Sequence, residues 1–187
     1  MTKQLFLWVA FSIFMVATAQ AQSKKLFTRD GKVYFNATAQ NSPEKIEAAH
    51  TGGTFIMDLS SGNVEMAVLL KGFYFEKALM QEHFNENYLE TSKYPKASFR
   101  GKLTNLAEVD FSKDGTYKTS VSGDFTLHGV VKKLTTPVTF TVAGGKVSAV
   151  ANFVVEFSDY KIDIPSLVSD KLAKQANISV SLDLKSL

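Results

Sequence analysis

The sequence predicts an all-β protein, an eight-stranded antiparallel barrel with a helical insertion near residues 75–91. Three observations predict it. About eight stretches alternate apolar and polar side chains at period two, with turn residues between them. Few of these stretches are separated by helical patterns, which argues against a parallel sheet. Several run to about ten residues or more, the length at which strands tilt around a closed barrel. Closure also removes exposed strand edges, useful to a chain of 187 residues that has no cysteine and so no disulfide.

Residues 1–21 read as a cleaved export leader, and residues 22–187 as the barrel domain. Lys3 supplies a positive start, Leu5 to Ala17 is apolar apart from Ser12, Thr18 and Ala19 follow, and Ala19-Gln20-Ala21 has the small-x-small pattern of a cleavage site. The apolar run is shorter than the roughly 20 residues a membrane span needs. No cysteine is available there for lipid attachment, so the expected location is the periplasm or the medium. Losing Lys3 takes one from the 21 Lys and Arg, leaving 20 against 18 Asp and Glu, a net +2. That near-balance gives no electrostatic footprint for nucleic acid.

In the mature chain, Ser23 to Gly31 reads as a loose polar lead-in and Lys32 to Ala37 as the first strand. Ser42-Pro43-Glu44-Lys45 has the character of a helix start, so a single helical turn is expected. Gly52-Gly53 reads as a breaker. Thr54 to Leu59 and Val64 to Lys71 are strands flanking the Ser60–Asn63 turn, and Val64, Met66, Val68 and Leu70 share one face. Apolar residues then change to near-helical spacing at Phe75, Ala78, Leu79, Phe84, Tyr88 and Leu89. Pro95 ends that pattern.

Ala97 to Thr104 alternates again. Lys113-Asp114-Gly115 reads as a turn with Gly115 at a positive-φ position. Thr116 to His128, Pro137 to Val142 and Val147 to Phe157 are strands, the last two joined by a Gly144-Gly145 hairpin. Ser158 to Lys174 is irregular, with a helical turn expected near Ser169 to Ala173. Ile178, Val180, Leu182 and Leu184 mark the closing strand.

Candidate chemistry is sparse. Without cysteine there is no thiolate catalysis and no Cys-ligated metal, and no Gly-x-Ser-x-Gly occurs. His50, His83 and His128 show no ligand spacing on one element. His83 reads as an imidazole tethering the helix to the barrel rim, and His128 as a hydrogen-bond partner in a turn. Glu82, Glu86, Glu90 and Asp159 read as solvated surface. No metal site, catalytic residue or enzymatic activity is therefore expected. Aromatic density stands out: 12 of the 15 Phe lie beyond the leader, many on inward faces.

Two motifs carry a resemblance. Leu79-Met80-Gln81-Glu82-His83-Phe84-Asn85-Glu86-Asn87-Tyr88-Leu89-Glu90, followed by Lys93-Tyr94-Pro95-Lys96-Ala97-Ser98-Phe99-Arg100-Gly101, resembles the central signature of the YceI-like family. Gly123-Asp124-Phe125-Thr126-Leu127-His128-Gly129-Val130 is similar to the family's G-x-L-T-x-H-G-V stretch. Phe153 to Ile164 is similar to its penultimate segment. The helical segment differs from better-understood members, which carry Arg-Asp-x-His-Leu there; His83 and Tyr94-Pro95 correspond.

The resemblance implies an exported, lipocalin-like barrel holding a polyisoprenoid, such as an isoprenoid quinone, or another lipid. Transient membrane contact goes with such a cargo. The oligomeric state is left open, a homodimer included. On this reading Phe73, Phe75, Leu79, Phe84 and Tyr88 close the barrel mouth, and Phe99, Phe125, Phe140 and Phe153 line it. The alternative is a filled barrel serving as a structural or stress-related interaction module with no bound lipid.

Overall fold

The computed structural model of the protein describes residues 25–168 and 170–187. The expected leader at 1–21 and a domain start at Gln22 lie outside the described residues.

Alternation of inward apolar and outward polar side chains builds the barrel, in nine strands: β1 Lys25–Thr38, β2 Glu47–Asp58, β3 Asn63–Leu69, β4 Tyr74–Phe75, β5 Lys96–Leu103, β6 Gly115–Leu127, β7 Val130–Ala143, β8 Lys146–Glu156 and β9 Leu172–Ser186. Their hydrogen-bonded order is β1-β9-β8-β7-β6-β5-β3-β2-β4, and β1 also pairs with β2. That last pairing closes eight strands into a ring. The two-residue β4 adds to β2 at Ala48 and Ala49, alongside β3. Every pairing is antiparallel.

One core fills the ring, from Phe35, Met57 and Val64 through Phe99, Phe125 and Phe140 to Val180 and Leu182. The outward positions of β6 are polar, with Thr116, Lys118 and Asp124 exposed and Ser120, Ser122 and Thr126 half-buried. This is the inverse of a transmembrane barrel, whose outer band is apolar. Among the described residues no helix is long and apolar enough to cross a membrane.

Several sequence expectations are corrected. Lys25 to Asp30 is no loose lead-in but the first half of β1, which continues beyond a register shift at Gly31. Gly52-Gly53 breaks nothing. Gly53 faces Gly31 inside the β1–β2 ladder, and a Cβ on Gly31 would come within 2.8 Å of the Gly53 carbonyl oxygen. The glycines allow a close backbone approach at a bulge, which bends β1 around the barrel. Ser42 to Lys45 forms no helical turn, because Ser42 Oγ bonds both the amide and the carbonyl of Glu44 and holds a local bend.

Gly115 has no positive φ and opens β6 instead. β7 starts at Val130, seven residues before Pro137, because His128 (φ 49°) and Gly129 (φ 74°) make a two-residue hairpin. β9 starts at Leu172, not Ile178, and the helical turn expected near 169–173 lies instead at Ser166–Val168.

The insertion is shorter than residues 75–91. Phe75 belongs to β4, paired with Ala48, and the helix α1 covers only Ala78–His83. A π-helical turn, Phe84–Tyr88, continues it. The wider turn suits this sequence, because it lets both Phe84 and Leu89 point into the core.

Candidate functional site

All strands alternate in direction, so the β1–β2, β3–β5, β6–β7 and β8–β9 connections gather at one end of the barrel. The insertion lies across that end. Beneath it the barrel encloses a cavity of about 150 Å³. Its wall is aliphatic and aromatic apart from Ser98 and Thr136. The Thr136 hydroxyl donates to the Asn152 carbonyl and is thereby occupied. The cavity can thus select for apolar surface, with little polarity to orient a ligand.

A second pocket, of about 320 Å³, lies outside the first, between α1, the π-helical turn and the segment around Ile162 and Ile164. Phe35, Phe84, Leu89 and Phe157 line both. They form the partition between an inner and an outer chamber. Phe84 is its centre, with ring centroids 4.9 Å from Phe75, 5.5 Å from Phe73 and 5.6 Å from Phe35. The Phe35 contact is edge-on and the other two are tilted; aromatic pairs at such separations add about 0.5–1.5 kcal/mol each beyond area burial.

The residues expected at the site divide between the chambers. Phe73, Phe84, Phe99, Phe125, Phe140 and Phe153 line the inner one. Phe75, Leu79, Phe84 and Tyr88 line the outer one. Burial pushes the Tyr88 phenol up from its ordinary value, which keeps it neutral there. Leu79 lines the outer pocket yet is largely exposed. Leu89, read in the sequence only as part of the helical pattern, lines both chambers; sequence reasoning missed the outer-wall residues Ile162 and Ile164. Their segment lacks periodicity, so nothing in its pattern marks a wall.

At the outer rim Glu44 pairs with both Lys77 and Lys171. The Lys77 hydrogen bond and charge hold the Glu44 carboxyl below its usual range. His83 lines the outer pocket at its rim but tethers nothing: its side chain is exposed and makes no hydrogen bond or ion pair among the described residues. Its position on the solvent side of α1 follows from Phe84 taking the core side.

His128 has the tethering role instead. Its Nδ1 lies 2.9 Å from the Tyr160 carbonyl oxygen and its Nε2 2.9 Å from Glu90 Oε2. Its ring stands edge-on to Tyr94 at 4.6 Å. Glu90 (φ 43°) sits just after the π-helical turn. His128 therefore clasps the end of the insertion to the β6–β7 hairpin and to the segment after β8. Gly129 is required beneath it, because a Cβ there would lie 2.6 Å from the Tyr94 ring. No group of three or more His, Cys, Asp and Glu side chains able to hold a metal occurs among the described residues.

A closed antiparallel barrel with an apolar lumen and a helical cover is a lipocalin-like binding architecture. The YceI-like domain matches residues 11–185, and the chain belongs to that family. A polyisoprenoid-binding domain from Saccharophagus degradans implicated in plant cell wall breakdown superimposes with a TM-score of 0.75 at 11% identity, over 88% of this chain and 99% of that one. Burkholderia cenocepacia BcnA gives 0.66 at 16% identity, over 83% and 96%. A Campylobacter jejuni YceI protein gives 0.50 at 18% identity, over 99% of each chain. At these identities the likeness is one of fold. No curated protein matches the sequence significantly.

Proposed function

We propose that the protein is an exported, non-enzymatic carrier that holds a polyisoprenoid or similar long-chain lipid in its barrel. The observation that carries this reading is the apolar inner chamber, separated from a larger outer pocket by one aromatic partition. Family membership and a structural neighbour described as polyisoprenoid-binding support it. Burial of apolar chain supplies about 25 cal/mol per Å², so a long lipid needs few polar contacts. An isoprenoid quinone fits that chemistry, as does any lipid with a long unbranched or methyl-branched tail.

A second reading, the filled-barrel interaction module, is favoured by one number. About 150 Å³ is the size of an engineered cavity that admits benzene. The closed barrel therefore holds only a short piece of chain. On the carrier reading Phe84 and its neighbours must swing aside so that the inner and outer chambers join. Mass spectrometry of an organic extract of the natively purified, exported protein separates the two. A near-stoichiometric lipid is expected. A clean extract, repeated after incubation with membrane lipids, overturns the carrier reading in favour of the filled barrel.

A further inference from the structure

Large apolar side chains that stay in water are unevenly distributed over the molecule. Leu69, Tyr74, Leu79, Val131 and Leu167 are all exposed, Tyr74 to 72% and Leu167 to 91%. All five belong to connections or strand ends at the end of the barrel covered by the insertion. At the opposite end, among the described residues, only Leu187 is comparable. Tyr34 and Val150 lie further along the barrel wall, and Val154 lies two residues short of the insertion-end terminus of β8.

We propose that the covered end docks on the surface of a phospholipid bilayer, with Tyr74, Leu79 and Leu167 entering its interfacial layer. The inference rests on the carrier reading and names the surface from which the site loads. Continuity singles out a bilayer as the occupant. Leu79 and Val168, the neighbour of Leu167, line the outer pocket. The face that would meet acyl chains is thus the face that opens, through the Phe84 partition, into the barrel.

The side-chain types agree with that occupant. Tyr74 carries an apolar ring with a polar tip, and Lys71 and Lys77 flank it in sequence with long stems. Such residues settle at the headgroup level. Electrostatics adds little. Lys71, Lys96 and Lys161 make no ion pair among the described residues, but exposed Glu76, Glu82 and Glu86 offset them on the same end. Docking is therefore driven by apolar burial, needs no anionic lipid, and resists salt.

The test is co-sedimentation of the full-length exported protein with phosphatidylcholine vesicles. The wild type is compared with a Tyr74→Ser, Leu79→Ser, Leu167→Ser variant and with a Leu187→Ser variant at the opposite end of the barrel. Thermal melts confirm that both are folded. The expected result is vesicle binding that survives high salt, is weakened about tenfold or more in the triple variant, and is retained in the Leu187→Ser variant. Wild-type protein that stays in the supernatant overturns the proposal, as does a triple variant that binds as well as wild type. Light scattering that shows a wild-type dimer and a monomeric triple variant also overturns it, assigning the face to a second copy. The extraction experiment is read separately. Lipid in the extract without vesicle binding sinks docking alone, whereas an empty extract sinks the carrier reading.

Discussion

The two ends of the barrel are built by opposite rules. At the end away from the insertion, the β2–β3 and β7–β8 connections are short and satisfied by hydrogen bonds within the end itself. Asp58 Oδ1 accepts from the Ser60 and Ser61 amides, bonds that hold its carboxyl below the usual range. Asp114 accepts from the Gly144 amide in the neighbouring hairpin. Phe111 packs edge-on against Phe140 at 5.3 Å and seals the core. At the insertion end the β3–β5 and β8–β9 connections are long, their apolar side chains face both the core and solvent, and one residue of the β6–β7 hairpin, His128, ties three segments together. Among the described residues, the pocket that adjoins the lumen lies at the clasped end.

The largest effect to expect is at the sealed end. Phe140 is 1% exposed, is held in the β7 ladder, and lines the inner chamber with Phe111 packed against it from the sealed end. Phe140→Ala is expected to cost about 3–5 kcal/mol in urea unfolding. Phe84→Ala at the clasped end also removes a buried ring, but from a short helical turn rather than a strand paired on both sides, so the site can relax further. It is expected to cost less, about 3 kcal/mol or below, while joining the two chambers. A folded Phe84→Ala protein should therefore take up a hydrophobic dye that the wild type excludes, and should exchange lipid faster. Equal costs at the two positions, with no gain in dye uptake, would remove the distinction between the ends.

The same contrast explains what could be read in the sequence. The barrel was legible because alternation runs through β3, β6, β8 and β9, where every second side chain meets the core. Turns at Ser60–Asn63 and Gly144-Gly145 were legible because local hydrogen bonding and positive φ demand those residue types. The first half of β1 was not. Thr28 is buried there and Arg29 and Asp30 are polar, so the pattern dissolves at the bulge. In the insertion, helical spacing from Phe75 disguised an alternating Phe73–Phe75 segment and a π-helical turn, both set by packing from residues far away in the chain. The motifs around Tyr94-Pro95 and His128-Gly129 were visible separately. That they form one clasp depends on a contact between segments 34 residues apart, read from Tyr94 and His128.

That clasp gives the next prediction. Asn tolerates the left-handed backbone of position 128, so His128→Asn preserves the hairpin and removes both long-range hydrogen bonds. About 1–2 kcal/mol of stability should be lost. Hydrogen exchange should speed up chiefly across residues 84–94, leaving Asp58–Asn63 and the Gly144-Gly145 hairpin unchanged. Uniformly faster exchange would show that His128 supports the whole barrel rather than one end.

The smallest effect concerns pH. His50 is buried at the insertion end, and its Nδ1 accepts from the Gly52 amide at 2.8 Å. That bond needs an unprotonated Nδ1, while the ring also bonds the Leu69 backbone. Burial lowers its pKa from the ordinary 6.5. The folded protein thus binds this proton more weakly than the unfolded chain does. The resulting stability is complete above about pH 6.5 and is lost as pH falls through the lowered folded value. His50→Gln keeps an oxygen to accept from Gly52 and an amide to donate, with nothing to titrate. Urea midpoints measured between pH 7.5 and pH 5 should fall more for wild type than for this variant. Parallel curves would mean that carboxylates, such as Asp58 at the sealed end, set the acid sensitivity, and that the clasped end is no more responsive to protons than the other.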